Sequence, residues 1–380
     1  MNFSLSAEQK MLQESVRDFA RSELYPGVIN RDEDASFPLE QIRKMGTLGL
    51  MGLMVDPKYG GSGMDAISYV IAIEEIAKID ASAAVIMSVN NSLVCWGLEQ
   101  FGTEEQKQKY LAPLASGKIH GAFCLSEPEA GSDATSQSTS AIFKDNHYLL
   151  NGTKNWITNG NSASVYIVIA QSDRDKKHRG INAFIVEKES VGVKVGPKEN
   201  KMGIRASDTH SIMFTDVKVP ISNRIGDDGF GFKFAMKCLA GGRIGIAAQA
   251  LGIASGAFEL SLAYSKERKS FSKPISEHQA IAFKLADMQT SIHAARNLCY
   301  EAAWLKDAGK DYSTASAIAK LFASKTAMEV TTEAVQIHGG YGYVKEFHVE
   351  RMMRDAKITQ IYEGTSEIQK IVISRAALQG

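Results

Sequence analysis

The feature that most constrains the fold of this chain is a change in the spacing of its apolar residues, from helical to strand-like and back. Through roughly the first 120 residues, apolar side chains recur every three or four positions, as on one face of a helix. Ser6 and Gln9 have the spacing of a capping box, which predicts a helix start. Further helices are predicted over Asp65–Ile79 and Ala81–Phe101. The first part of the chain is therefore predicted to be helical.

The middle of the chain has a different pattern, which begins around Gly121. Short β-branched runs at residues 165–170 and 183–186 are bounded by polar turns, and Asp145-Asn146 is typical of a hairpin turn. From about Gly229 the helical spacing returns and continues to the end. The helices predicted there are Phe230–Lys266, Glu277–Ala308 and Tyr312–His338, the last of them ended by Gly339-Gly340.

The order of helix, sheet and helix predicts the architecture. A chain of 380 residues is long enough for two or three domains. We expect a multidomain α+β fold that begins with an N-terminal α-helical domain over residues 1–120. A middle antiparallel β domain, a small sandwich or barrel, follows over residues 121–228, and a C-terminal four-helix bundle over residues 229–380.

Charge and composition argue against several classes of function. Lys+Arg and Asp+Glu number 43 each, so the net charge gives no electrostatic argument for a nucleic-acid partner or a membrane surface. The four cysteines are far apart and the eight histidines lack zinc spacing, so neither disulfides nor a catalytic metal are expected. No Gly-x-Gly-x-x-Gly or Gly-Lys-Ser/Thr motif is present, which disfavours a nicotinamide or P-loop enzyme. We expect no membrane span and a bacterial cytoplasmic location, with the mitochondrial matrix as the alternative.

The strongest candidate for a catalytic residue is Glu363, in the segment Ile361-Tyr362-Glu363-Gly364-Thr365. Ser366 and Gln369 have capping-box spacing, so a helix is predicted to begin there and Glu363 to lie in the turn before it. The apolar neighbours of the carboxylate disfavour its charged form and raise its pKa toward the range of a general base. A solvated loop glutamate is the alternative that a lone Glu leaves open.

Two segments of the middle region could form a flavin site. In residues 123–132 (FCLSEPEAGS), proline and glycine force a turn that leaves serine hydroxyls beside backbone amides. In Trp156-Ile157-Thr158, an indole could cover a flavin face while the Thr158 hydroxyl reaches the redox-active nitrogen. Taken singly, the first segment is equally typical of a surface turn and the second of a core tryptophan.

A third set of candidates lies in the C-terminal region. Arg268 supplies planar donors suited to a pyrophosphate, and Gly339-Gly340 allows close approach of a backbone to a ligand. A solvated arginine at a helix end and a simple helix stop are the alternatives.

These segments, in this order and spacing, resemble those of the acyl-CoA dehydrogenase family, and the likeness covers essentially the whole chain. The resemblance implies a FAD-dependent enzyme that converts an acyl-CoA to the trans-2-enoyl-CoA by α,β-dehydrogenation. It implies that Glu363 removes the α-proton while flavin N5 accepts a hydride from the β-carbon. The cofactor-binding residues that it implies are Phe123, Leu125, Ser126, Gly131, Ser132, Trp156, Ile157, Thr158, Arg268, Ser270, Phe271, His278, Gln279, Gln336, Gly339, Gly340, Thr365 and Glu367.

The resemblance also implies an assembly and a partner. Family members bind the FAD diphosphate and adenine across a subunit boundary, so a homotetramer is expected. Electron-transfer flavoprotein is expected as the electron acceptor. Ser272 stands where members commonly have glycine, a departure with no expected consequence.

The resemblance places the CoA end of the substrate near Arg243, which matches the arginine beside the pantetheine. Ala240 stands where the family often has Asp, so a CoA contact is expected to be lost. Some members carry their base immediately before this arginine. Here that position is Gly242, which leaves Glu363 as the candidate.

The pocket for the acyl chain is expected to be shallow. Gln249 and Thr359 match residues on the pocket floor of the short-chain branch, which favours a substrate such as butyryl-CoA. A polar residue satisfied within the helix packing is the alternative for Gln249. The expected substrate-binding residues are Ser132, Arg243, Gln249, Thr359 and Gly364.

Two other functions are compatible with the same fold. One is a flavin acyl-CoA oxidase that uses oxygen, and the other is a non-catalytic scaffold or nucleic-acid-binding relative. Such oxidases are typically longer, with an extra C-terminal helical domain, and a scaffold would have a basic extension or lack the base. The apolar residues 371–378 and the presence of Glu363 favour the dehydrogenase.

Overall fold

The computed structural model describes residues 4–379, and the predicted domain ranges include residues 1–3 and 380, which lie outside them. The predicted capping box at the first helix is confirmed, since the Ser6 hydroxyl accepts from the Gln9 N–H at 3.1 Å and the Gln9 side chain accepts from the Ser6 N–H at 3.0 Å. The helices of the N-terminal region are α1 Ala7–Phe19, α2 Val28–Glu33, α3 Leu39–Thr47, α4 Ala66–Ala77, α5 Ala81–Ser88, α6 Trp96–Phe101, α7 Glu104–Gln106 and α8 Ala112–Ala115.

Three π-helical stretches continue these helices. They are Ala20–Leu24, Val89–Cys95 and Lys107–Leu111. The second stretch joins α5 to α6, so the helix predicted over residues 81–101 is one unbroken run. Asp65 and Asp80 begin the two central helical runs because their carboxylates accept from the N–H groups of Ser68 and Ser82, at 2.7 and 2.9 Å.

Two helical runs of the described residues have the length and apolar composition of a membrane span, Ala81–Phe101 and Gly231–Glu267. The expected absence of a membrane span therefore stays a prediction. In the structure, 94% and 72% of their apolar windows are buried inside the protein. The core helix of a globular protein has this combination of composition and burial, so the two runs are weak evidence for a membrane span.

The middle region forms one eight-stranded sheet. Its strands are β1 Gly121–Cys124, β2 Ser140–Lys144, β3 His147–Thr158, β4 Val165–Gln171, β5 Ile181–Glu187, β6 Val193–Lys198, β7 Thr209–Pro220 and β8 Arg224–Ile225. Their order is β6-β7-β3-β2-β4-β5-β8, with β1 also paired to β4. The predicted hairpin is confirmed, because Asp145 and Asn146 both have positive φ between the antiparallel strands β2 and β3.

The pairings of this sheet are antiparallel in the main, as predicted, but β1 and β2 both run parallel to β4. Strands β4 and β5 are buried on both faces. Ile167 and Ile185 join the core shared with the helices, whereas Tyr166 and Phe184 join the core within the β region. Burial on both faces explains why these two strands are continuous apolar runs rather than alternating ones.

The described part of the C-terminal region contains five α-helices and a short hairpin. They are α9 Gly231–Glu267, α10 Gln279–Asp307, α11 Ser313–His338, α12 His348–Ile358 and α13 Ser366–Gln379, with β9 Lys269–Ser270 and β10 Lys273–Pro274. Helix α11 packs against each of the other four helices. Gly339, with φ of 60°, ends α11 as predicted. Helix α12 was not predicted from the sequence.

Helix α12 ties the three regions together just before Glu363. Arg354 donates to the Asp32 carboxylate at 2.7 Å and to the Met202 carbonyl at 3.0 Å. Asp355 accepts from the Ile204 N–H at 2.5 Å. The N-terminal and β regions therefore hold the helix from which the Glu363 turn emerges. The predicted domain boundaries fall between α8 and β1 and between β8 and α9, and they stay a prediction.

Candidate active site

Glu363 lies in the turn between α12 and α13. Its φ is 50° and that of Gly364 is 90°, so the two residues form a left-handed turn. A positive φ is uncommon for a residue other than glycine and must be held by its surroundings. Two side chains hold this turn: Lys320 Nζ donates to the Gly364 carbonyl at 2.5 Å and Gln369 Nε2 to the same carbonyl at 2.8 Å.

The capping box predicted for Ser366 and Gln369 is wrong, although α13 begins at Ser366 as expected. The side-chain amide of Gln369 instead donates to the carbonyls of Gly364 and Glu363, at 2.8 and 3.3 Å. Thr365 takes the capping role, since its hydroxyl accepts from the Ile368 N–H at 3.4 Å. A tertiary demand, the fixing of the turn, therefore outweighs the local pattern.

The Glu363 carboxylate points at α9. A Cβ added to Gly242 would lie 2.0 Å from Glu363 Oε2 and 2.8 Å from Leu93 Cδ2, so glycine is what leaves room for the carboxylate here. Oε2 is buried and has no hydrogen-bond partner among residues 4–379. Burial raises the pKa of Glu363 to about 7, while the positive charges of Lys320 and Arg243 act in the opposite direction. The arrangement is that of a base that titrates near neutral pH.

Two buried cations flank this carboxylate. Burial lowers the pKa of Lys320 to about 8, although the charge of Glu363 raises it. Burial also lowers the pKa of Arg243, whose Nε has no partner within the described part of the chain. The sequence pointed to Arg243 but missed Lys320. The available signal was a lysine among the small residues of a buried helix face, Ala317, Ala319 and Ala323.

Gln249 connects the base turn to the N-terminal region. The Tyr362 hydroxyl donates to Gln249 Oε1, and Gln249 Nε2 donates to the Ala81 carbonyl at 2.8 Å. The side chain of Gln249 is fully buried. Thr359 is buried as well, and its hydroxyl donates to the Ala356 carbonyl of α12 at 2.7 Å.

The two predicted flavin segments lie side by side. The Asn155 N–H donates to the Ser126 carbonyl at 2.8 Å, and Lys154 Nζ donates to the Leu125 carbonyl at 2.9 Å. Lys154 also pairs with Glu127 at 2.7 Å, with both side chains buried. Burial alone would raise the pKa of Glu127, but Lys154 and further hydrogen-bond donors hold it at about 2. The sequence reasoning missed this buried ion pair, which fixes one segment against the other.

The surface formed by these segments is open beside Trp156. This residue has φ of 61° and its side chain is 60% exposed, between the half-buried Asn155 and the buried Ile157. Phe123 and Leu125 belong to the core or pack against it, whereas Gly131 and Ser132 are exposed. A large exposed indole beside a polar loop provides one apolar wall of a site for a flat ring system.

The third predicted set gathers at the far ends of α9 and α11. Arg268, Gly339 and Gly340 line a groove of about 470 Å³, where the Arg268 guanidinium lies 5.6 Å from the Tyr341 ring centre. The neighbouring hairpin carries Ser270 and Phe271. His278 Nε2 is 3.1 Å from the Ser270 carbonyl, and Phe271 is 90% exposed. Gln279 begins α10 and Gln336 lies near the end of α11. Among the described residues, no hydrogen bond joins this set to the base turn or to the flavin segments.

Three family models match the chain, covering residues 6–118 (Acyl-CoA dehydrogenase, N-terminal domain), 122–217 (middle domain) and 229–378 (C-terminal domain). The chain belongs to the acyl-CoA dehydrogenase family. It is 51% identical to the short-chain specific acyl-CoA dehydrogenase of Clostridium acetobutylicum, over 98% of this chain and 99% of that protein. It is similar to the structure of butyryl-CoA dehydrogenase from Megasphaera elsdenii, with a TM-score of 0.98, 50% identity and full coverage of both chains. A chain in the structure of the electron transferring flavoprotein of Acidaminococcus fermentans matches with a TM-score of 0.99 and 50% identity, also over both full lengths.

In this acyl-CoA dehydrogenase, the two sequence positions at which family members carry the base, 242 and 363, lie next to each other. Gly242, where some members carry the base, faces the carboxylate of Glu363 itself. Within residues 4–379, no three His, Cys, Asp or Glu side chains are grouped as for a metal ion. The predicted acyl-CoA dehydrogenase fold of helices, β domain and helices is confirmed by the family matches.

Proposed function

We propose that this acyl-CoA dehydrogenase converts a short-chain acyl-CoA, of about the size of butyryl-CoA, to the trans-2-enoyl-CoA with Glu363 as the base. The observation that carries the proposal is the unpartnered Oε2 of Glu363 beside the Gly242 backbone. A carboxylate that is buried, weakly solvated and near pKa 7 is suited to accept a weakly acidic proton.

The base and the activation of the substrate are joined in one turn. Removal of the α-proton builds negative charge on the thioester oxygen, so a donor placed at that oxygen accelerates the step. We assign this donor to the backbone N–H of Glu363. The left-handed turn fixes its direction, and Gly364 has no side chain to obstruct the thioester. Lys320 and Gln369 occupy the Gly364 carbonyl, which keeps that acceptor turned into the protein.

The residues present fit a flavin. The exposed Trp156 indole and the loop from Phe123 to Ser132, fixed by the Lys154–Glu127 pair, supply an apolar wall beside backbone polar groups. Ile157, Thr158, Thr365 and Glu367 complete the proposed ring-side contacts. When bound, FAD supplies the acceptor for the hydride that leaves the β-carbon. The pyrophosphate and adenine are assigned to Arg268, Ser270, Phe271, His278, Gln279, Gln336, Gly339 and Gly340.

The proposed short acyl pocket rests on the contacts of Gln249. Its side chain is held by Ala81 and by the Tyr362 hydroxyl, so it cannot move away without breaking two buried hydrogen bonds. A fixed side chain of this length leaves little depth for an acyl chain. Thr359 is assigned to the same floor, and Ser132, Arg243 and Gly364 to the CoA and thioester end. The relative from Clostridium acetobutylicum, which is described as short-chain specific, supports this size class.

We further propose a homotetramer that passes electrons to an electron-transfer flavoprotein. The groove at Arg268 has no hydrogen bond to the flavin segments of its own chain among the residues described, which supports a cofactor shared between copies. The match to a chain in the Acidaminococcus fermentans flavoprotein structure supports the acceptor. The bacterial relatives are in keeping with a cytoplasmic location.

The test is an anaerobic titration of the purified flavoprotein with butyryl-CoA, followed by the oxidised flavin absorbance. We expect loss of that band in the wild type and little loss in Glu363→Gln, which keeps the shape of the side chain but cannot act as a base. The matched control is Glu301→Gln, an exposed carboxylate on α10 that has no assigned role in binding or catalysis. Full reduction in Glu363→Gln would refute the assigned base. Reduction only by longer or branched acyl-CoAs would refute the size class and leave the reaction intact.

A further inference from the structure

Lys320 is a buried lysine whose charge the proposed reaction does not yet use. It lies in the first third of α11 with 0% of the residue exposed. Moving an ammonium group out of water is costly, so a buried lysine is kept where something offsets that cost. The one described hydrogen bond of its ammonium group is to the Gly364 carbonyl, at 2.5 Å. That carbonyl also accepts from Gln369, at 2.8 Å, so a neutral donor already satisfies it.

The charged groups around Lys320 show where its charge acts. Glu363 is the anion that most strongly favours its protonated form, and the exposed Glu367 at the start of α13 contributes less. Arg243 on α9 is a second cation and opposes it. Tyr69 on α4 and Tyr362 beside the base are buried phenols whose pKa values are raised by burial, so they stay neutral. The ammonium is therefore paired electrostatically with the proposed base across the turn.

We propose that Lys320 is the positioning residue of the base, holding the Glu363–Gly364 turn in its left-handed form and keeping the carboxylate ionised. The proposal rests on the proposed function of Glu363. It assigns two separable roles. The hydrogen bond to Gly364 directs the carboxylate at the Gly242 backbone, and the charge opposes the protonation that burial favours. Gln369 shares the first role but not the second, because its amide carries no charge.

The charge matters most once a substrate is bound. An apolar acyl chain against Glu363 removes further water and raises the pKa of its carboxyl. Without a nearby cation, the base would be protonated, and idle, over much of the neutral range. Lys320 reaches the turn from α11 through the Gly364 carbonyl, so it can act on the base through the short backbone segment.

The test is the pH dependence of kcat/KM and of kcat for butyryl-CoA between about pH 5.5 and 9, which report groups of the free enzyme and of the substrate complex, respectively. Lys320→Gln keeps a donor for the carbonyl and removes the charge. We expect its acid limb to move up by about one pH unit, with about a tenfold loss at acidic pH that recovers at alkaline pH. Lys320→Met should show the same shift with a lower plateau, and Lys320→Arg should return the limb toward the wild type. Gln369→Leu should lower kcat without moving the limb.

The matched control is Lys325→Met on the same helix, where the lysine side chain is 69% exposed and 3.7 Å from Glu329. Its profile should overlay that of the wild type. Retention of the flavin absorbance band establishes that each variant is folded. A wild-type acid limb in both neutral variants of Lys320 would overturn the inference. Flavin reduction by Glu363→Gln would instead overturn the proposed base, so the two failures are distinguishable.

Discussion

The substitution Gly242→Ala tests the placement of the base most directly, because it adds one methyl group where the carboxylate lies. The added Cβ would be 2.0 Å from Glu363 Oε2, whereas ordinary contacts to a Cβ are 3.4–4 Å. The carboxylate must therefore move by more than an ångström. It can do so by rotating about its own side-chain bonds, at a cost of about 0.5–1.5 kcal/mol for leaving a preferred rotamer.

The expected result is a catalytic defect with little loss of stability. A rotamer cost at the upper end of that range corresponds to about a tenfold fall in kcat, and a misplacement of about 1 Å in the reacting geometry can cost about a hundredfold. We therefore expect kcat for butyryl-CoA to fall by between about tenfold and a hundredfold. The melting temperature should change little, because the atoms that must move, Glu363 Oε2 and Leu93 Cδ2, are the ends of side chains.

Gly241→Ala is the matched control, since it makes the same change at the preceding position of the same helix. A Cβ on Gly241 meets nothing closer than 3.9 Å, the distance to Lys306 Nζ. Both variants have the same gain in helix propensity, so their difference isolates the contacts of the added Cβ with Glu363 Oε2 and Leu93 Cδ2. Steady-state rates and anaerobic flavin reduction would be measured for both. Equal activity in the two variants would refute the placement of the carboxylate against α9.

The remaining predictions concern the acyl pocket, the flavin segments and the linkage of stability to pH. Gln249→Ala should raise the ratio of kcat/KM for hexanoyl-CoA to that for butyryl-CoA several-fold, since each newly buried CH₂ is worth about 0.8 kcal/mol. The control is Gln289→Ala at an exposed position. The same ratio in both variants would contradict the assignment of Gln249 to the pocket floor. Lys154→Met should cost about 3–5 kcal/mol in urea unfolding because it leaves Glu127 buried and unpaired, whereas Lys144→Met at an exposed strand end should cost almost nothing. Because the pKa of Glu363 is raised from 4.5 to about 7 in the folded protein, its contribution to stability is fully present below pH 4.5 and is lost as the pH rises through 7. Glu363→Gln should therefore be more stable than the wild type at about pH 8, by up to about 3 kcal/mol, and the difference should shrink toward about pH 5; equal unfolding free energies at both pH values would show that the carboxyl titrates normally.

Local patterns predicted those parts of the fold that local physics decides. The capping box at Ser6 and the hairpin at Asp145-Asn146 are as expected because the groups that form them are neighbours in the sequence. The helix over His348–Ile358 was missed although it is amphipathic. It is short, and it lies between the glycine-rich end of α11 and the catalytic segment. The parallel pairings to β4 were missed because nothing in a single strand records the direction of its neighbour.

The candidate site divides in the same way. The position of Glu363 before a helix could be predicted, but the capping box beside it could not hold, because Gln369 is needed across the turn. Lys320 and the pair of Lys154 with Glu127 left little signal in the sequence. Each depends on a partner far away in the chain, and a lysine in a helix or strand is more often solvated than buried.

The base turn is rigid in its backbone and sparsely solvated at its reactive atom, and these two properties have one origin. Three donors in or beside the turn bond elsewhere: Lys320 and Gln369 donate to the Gly364 carbonyl, and the Tyr362 hydroxyl donates to Gln249. A hydrogen bond to the carboxylate would have stabilised its charged form and lowered its pKa, which would have weakened the base. By directing these donors to the backbone and to Gln249, the fold fixes where the carboxylate points while leaving Oε2 free to take a proton. The cost in stability of an unpartnered buried carboxylate is therefore tied to its strength as a base, and a substitution that gives Oε2 a donor should stabilise the protein and slow the reaction together.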